Sequence, residues 1–86
     1  MLSQDEFCEL VLDFISDDYE APSTITSDIA RALARDVSER EVLDALLALA
    51  RDGRAKAYVF SEGAHHYLQV DVGDAPLETL WFLARR

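Results

Sequence analysis

The apolar residues change their period at Gly53, and that change constrains the fold more than any other feature of the chain. Before it, apolar residues recur every three or four positions. Phe7, Leu10, Val11, Phe14 and Ile15 form one stripe, Ile29, Ala30, Leu33 and Ala34 a second, and Val42, Leu46, Leu49 and Ala50 a third. Such spacing gathers each set on one face of a helix. After Gly53 the residues alternate: Ala55, Ala57 and Val59 point one way, Lys56, Tyr58 and Phe60 the other. That is the period of a strand. A turn at Ser61-Glu62-Gly63-Ala64 leads into a second alternating run, His66, Leu68, Val70 and Val72. The pattern predicts a mainly helical α+β fold: a three-helix bundle with a helix-turn-helix, followed by a β-hairpin.

Local signals set the boundaries. Ser3-Gln4-Asp5-Glu6 is a capping box, and Leu2 with Phe7 makes a hydrophobic staple. Asp17-Asp18 ends the first helix, and Ala21-Pro22 marks a break, because a residue before proline avoids the helical region. The second helix is expected to start at Thr26 as N-cap, with Asp28 in its first turn. Ser38-Glu39-Arg40-Glu41 is a second capping box with a Val37 and Val42 staple. Asp52-Gly53 is a stop, Gly53 being free to take the left-handed conformation. The last segment, residues 77–86, fits two patterns. Leu77, Leu80, Trp81 and Ala84 make a helical stripe, while residues 79–83 also read as a short buried strand. The strand, paired beside residues 54–60, is the favoured reading.

The 86 residues suit a single domain, residues 1–86. Half are apolar and 29% are charged, a globular composition. The one cysteine, Cys8, excludes an internal disulfide framework and points to a reducing, cytoplasmic setting. The first residues lack the basic stretch of a signal peptide, and no apolar run approaches the ~20 residues of a membrane span.

Charge is distributed unevenly. The formal net charge is −9, and residues 1–20 hold seven carboxylates (Asp5, Glu6, Glu9, Asp13, Asp17, Asp18, Glu20) with no Lys or Arg. Proteins that grip nucleic acid do so largely by neutralising phosphates with Lys and Arg, and no segment here has a strong basic excess. The acidic run reads as a solvated face, or as a dock for a basic protein surface. A weaker reading makes it an acidic mimic of DNA.

Three helices and a hairpin, with the second and third helices tightly joined, resemble the winged helix-turn-helix superfamily in its small stand-alone bacterial form. The residues that carry the resemblance run from Thr26-Ser27-Asp28-Ile29-Ala30 through Val37-Ser38 and Val42 to Leu46, Leu49 and Gly53, with residues 55–60 as the first strand of the wing. The resemblance implies that the third helix enters a major groove and that the wing touches the minor groove or backbone. The contacts it implies for DNA are Arg40, Arg51, Arg54 and Lys56. This chain departs from the pattern, because Glu39, Glu41, Leu43, Asp44 and Leu47 share the exposed side of that helix, a poor surface for phosphates and base edges.

Leu43 and Leu47, four residues apart, form a ridge. It is either covered by the C-terminal segment or the apolar centre of an interaction surface made by Arg40, Leu43, Asp44, Leu47, Arg51 and Trp81. Trp81-Phe82 can likewise serve the core or anchor an interface. If the last segment is a strand, Arg54, Lys56, Arg85 and Arg86 gather on the sheet side as a small basic patch. His65-His66 reads as a pair of wing-tip histidines, since neighbours on a strand point to opposite faces and cannot chelate one ion. No nucleophile motif or glycine-rich phosphate loop occurs, and neither a cofactor nor a small-molecule substrate is expected. The expected function is non-enzymatic and regulatory: contact with another protein, or self-association as a homodimer. The alternative is a DNA-binding transcriptional regulator.

Overall fold

The computed structural model describes residues 2–85. Helix α1 spans Gln4–Phe14. Its capping box forms in full: the Glu6 amide donates to Ser3 Oγ and the Ser3 amide to Glu6 Oε1, both at 3.1 Å. Those bonds hold the Glu6 carboxyl below the usual carboxylate range, the Ser3 backbone amide contributing most. Phe7, Val11 and Ile15 are buried on its inner face, and Leu2 packs partly buried against the same core.

Helix α2 spans Pro22–Leu33, so it starts four residues before Thr26. Pro22 is where the helix begins. Ala21 is extended, as a residue before proline must be, and Pro22 then occupies the first turn, where its missing amide costs nothing and its φ is already helical. Thr26 is interior, its hydroxyl donating to the Pro22 carbonyl at 2.7 Å. Asp28 consequently lies beyond the first turn and faces Arg31 at 3.8 Å. The helix ends on Ala34 at φ 53°, with the Ala34 amide donating to the Arg31 carbonyl and the Arg35 amide to that of Ala30. This is a Schellman ending with alanine where glycine is usual.

Helix α3 spans Glu39–Arg51. Only half of its expected capping box forms. The Glu41 amide donates to Ser38 Oγ at 3.1 Å, but the Glu41 carboxylate lies 3.9 Å from Arg35 and does not return the bond to the Ser38 amide. Gly53, at φ 75°, closes the helix: its amide donates to the Ala50 carbonyl, and the Arg54 amide to that of Leu49. Helices α2 and α3, joined by a short turn, make the helix-turn-helix.

Strands β1 (Ala55–Ser61), β2 (His66–Val70) and β3 (Trp81–Ala84) form one antiparallel sheet in the order β2-β1-β3. The last segment is therefore a strand beside β1, with Ala57 opposite Phe82 and Tyr58 opposite Trp81. Its helical character survives as a single 3-10 turn, Leu77–Thr79. The far edge of β3 is also bonded. Glu20 and Phe82 exchange backbone bonds of 3.0 and 2.9 Å, and the Ala84 amide donates to the Ile15 carbonyl at 2.9 Å. The link between α1 and α2 thus extends the sheet by one bridge.

The helices cover one face of the sheet. Ile25, Ile29, Val42, Ala45, Leu46, Leu49, Ala55, Ala57, Leu80 and Phe82 complete the core with the α1 residues. Small side chains at Ala45, Ala55 and Ala57 let α3 approach β1 closely. No polar or charged residue is buried among the described residues. The hairpin β1–β2 projects beyond this core, and the molecule extends 42 Å in one direction against 23 and 22 Å in the others. That projection explains why the expected inner face of the second strand is only partly covered. Val70 and Val72 are half-buried, while Leu68 is 43% exposed and His66 is exposed. Among the described residues no helix is long and apolar enough to cross a membrane.

Candidate interaction cleft

The residues that the sequence groups into one interaction surface separate in space. Along α3, Arg40 pairs with Asp44 one turn on, Nε to Oδ1 at 3.2 Å. Asp44 lines a recess of about 540 Å³ with Leu2, Phe7, Arg35 and Glu41, where α3 meets the start of α1. Leu43 is half-buried. Leu47 and Arg51, one and two turns further, line a different cleft of about 530 Å³ between the end of α3 and the base of the hairpin. Its other walls include Ala50, Ala55, Lys56, Gln69, Val70, Val72 and Arg85.

Trp81 belongs to neither place. Its neighbour Phe82 is fully buried under the helices, and adjacent strand residues point to opposite faces. Trp81 therefore lies on the outer face of the sheet, remote from α3. There it joins an aromatic cluster that sequence reasoning does not assemble as a group. Tyr19 stacks on Tyr67 with centroids 3.9 Å apart and an interplanar angle of 11°, and meets Tyr58 edge-on at 4.8 Å. Phe60 and Trp81 meet Tyr67 edge-on at 5.2 and 5.4 Å. Alternation in β1 places Tyr58 with Phe60, but bringing in Tyr19 depends on the Glu20 bridge to β3, which no local pattern announces. Burial and the neighbouring Tyr19 hydroxyl raise the Tyr58 pKa. On the helix side of the same bridge, burial, then Asp28 and Asp18, raise the Glu20 pKa.

The cations sort more sharply than the composition foretells. Of the seven described Lys and Arg residues, four are held by carboxylates: Arg31 by Asp28, Arg35 by Glu41, Arg40 by Asp44 and Arg54 by Glu9. The last is the shortest, Arg54 Nη2 to Glu9 Oε1 at 2.6 Å, and it turns Arg54 toward α1 and away from the sheet side. The three with no ion pair among the described residues are Arg51, Lys56 and Arg85, and all three line the cleft beside Leu47. One carboxylate, Asp71, stands among them. Of the four cations expected to meet DNA, Arg51 and Lys56 are thus brought together, while Arg40 and Arg54 are engaged elsewhere. Of the expected sheet-side patch, Lys56 and Arg85 meet, Arg54 does not, and Arg86 lies outside the described residues.

The histidines and the cysteine lie apart from this cleft. His65 sits in the hairpin turn at φ 54°, and His66 begins β2 with Nδ1 2.9 Å from the Ala64 carbonyl. Among the described residues, no three His, Cys, Asp or Glu side chains are grouped to hold a metal ion. Cys8 is half-buried, and its burial, then Asp5, raise the thiol pKa, a setting that disfavours the reactive thiolate. In comparisons with known proteins, no family model, no curated protein and no solved structure matches this chain.

Proposed function

We propose that this chain is a non-enzymatic winged-helix interaction module that binds an acidic, apolar segment of a partner protein in the cleft between α3 and the hairpin. The observation that carries this reading is the convergence of Arg51, Lys56 and Arg85, without ion pairs among the described residues, in one cleft of a chain with net charge −9. Leu47, Ala50, Val70 and Val72 line the same cleft and give it an apolar share. Cations beside apolar side chains suit segments in which carboxylates alternate with apolar side chains, because the charges steer and orient while the apolar lining supplies burial. Duplex DNA fits less well. Along α3 it would meet Glu39, Glu41 and Asp44, and the two other arginines it would use, Arg40 and Arg54, are already paired with carboxylates.

The test is a binding titration at low salt of a short labelled peptide of alternating Leu and Glu, with random-sequence duplex DNA in parallel. Binding of the peptide is expected, weakened at least about tenfold by Arg51→Glu with Lys56→Glu, since each reversal replaces an attraction of up to about 1 kcal/mol with a repulsion of similar size. DNA is expected to bind weakly or not at all. Tight DNA binding that collapses with salt and is lost in the same double variant would replace this reading by the transcriptional-regulator one.

A further inference from the structure

We propose that β2 is a self-association edge, through which two copies pair antiparallel about a two-fold axis to make one six-stranded sheet. In the order β2-β1-β3, the far side of β3 is closed by Glu20 and Ile15, whereas the outer side of β2 has no neighbouring strand among the described residues. An unpaired edge is a template for another strand, and monomeric proteins usually blunt it with lysine, proline, a bulge or inward charge. The β2 sequence His66-Tyr67-Leu68-Gln69-Val70 has none of these devices.

The edge is flanked by apolar surface on both faces. Leu68 is 43% exposed on the helix-side face, and Phe60, 46% exposed, packs against Tyr67 on the outer face. These are two of the three large hydrophobic residues left exposed among the described residues.

A second copy fits this edge for two reasons. The first is symmetry. An antiparallel two-fold centred on Leu68 sets Leu68 against Leu68 and Tyr67 against Gln69 of the second copy, so every group finds an isologous counterpart. The two Tyr67 rings become diagonal neighbours, which are within reach of aromatic side chains, and the two aromatic clusters join across the axis. The second reason is charge. Two bodies of net charge −9 repel, and β2 presents no carboxylate of its own to add to that repulsion at the edge. Between Arg54 and Asp71 the sequence holds one carboxylate, Glu62 in the turn, and β2 carries none. Asp18 and Glu20 flank Tyr19 where it stacks on Tyr67, so the stretch free of carboxylates is the β2 edge itself and not the whole outer face. In such a pair His66 of each copy stands opposite Val70 of the other, at the rim of its cleft.

The experiment is sedimentation equilibrium of the full chain over a concentration series up to about 1 mM, with amide hydrogen exchange at both ends of the series. The wild-type mass is expected to rise from that of one chain toward that of two. Those β2 amides that do not bond β1 should gain protection over the same range. Leu68→Lys, which opposes two cations at the axis on an exposed position, is expected to stay at the mass of one chain with an unchanged circular dichroism spectrum. A wild-type mass fixed at one chain throughout, or a dimer whose β2 amides gain no protection, would overturn the proposal whether or not the variant folds. A folded Leu68→Lys that dimerises as the wild type does would overturn it too. Peptide binding in the cleft is a separate readout, so the two proposals fail independently.

Discussion

At Ala34 the backbone takes φ 53°, a conformation that costs a residue with a Cβ about 1–2 kcal/mol. Gly53 occupies the equivalent place after α3 at φ 75° with no such cost. The two positions form a natural pair of tests. Ala34→Gly is expected to stabilise the chain by about 0.5–1 kcal/mol, the relief of strain being partly offset by the greater freedom of glycine when unfolded. For a chain of this size that is a rise of roughly 2–8 °C in Tm. Gly53→Ala should lose about 1 kcal/mol. The added Cβ would stand 3.6 Å from Arg85 Nη1, an ordinary contact, so the loss is one of backbone conformation. Thermal unfolding of both variants reads the two signs. A lower Tm for Ala34→Gly would mean that the turn between α2 and α3 is held by something other than this ending.

Among the elements, β3 does the most with the fewest residues. It lies between β1 and Glu20 and places Leu80 and Phe82 in the core while Trp81 faces outward. Phe82→Ala is expected to cost about 3–5 kcal/mol, close to the whole stability of a small fold, and to abolish a cooperative urea transition. Trp81→Ala removes a half-buried ring from the outer cluster and should cost about 1–2 kcal/mol with the transition retained. Equal losses at the two positions would contradict the assignment of faces.

The same strand marks the limit of what a sequence makes legible. The caps at Ser3 and Gly53 are legible because each is decided within a few residues. Pro22 is ambiguous, because the same side chain serves a helix ending and a first turn, and only the packing of residues 23–33 against the core chooses between them. Which of Trp81 and Phe82 turns inward depends on register with β1, and the Glu20 bridge to Phe82 depends on an approach across more than sixty residues of chain. The cleft is half legible for the same reason. Leu47, Arg51 and Lys56 stand out locally, but Arg54 is lost to it through Glu9, a partner 45 residues away.

On the scale of the whole molecule, the excess of carboxylates opposes compaction, since self-repulsion of a net charge of −9 is relieved by unfolding. Salt screens that repulsion and also weakens the exposed ion pairs, four of them among the described residues, each worth less than about 1 kcal/mol. Two of those pairs are separated by 3.8 and 3.9 Å and contribute least. Repulsion is the larger quantity, so Tm is expected to rise as salt increases from about 0.01 to about 0.15 M. A falling Tm would assign more of the stability to Arg54–Glu9 and Arg40–Asp44 than their exposure allows.

The placement of β3 has a consequence in time as well as in space. Ribosomes add roughly 5–20 residues each second, so the three helices emerge seconds before Leu80 and Phe82 do. Until then the edge of β1 that pairs with β3 is open, and the core lacks Leu80 and Phe82. In that interval a nascent chain is expected to be more open to proteolysis than the finished fold, and the bond from Ala84 to Ile15 is among the contacts that close it.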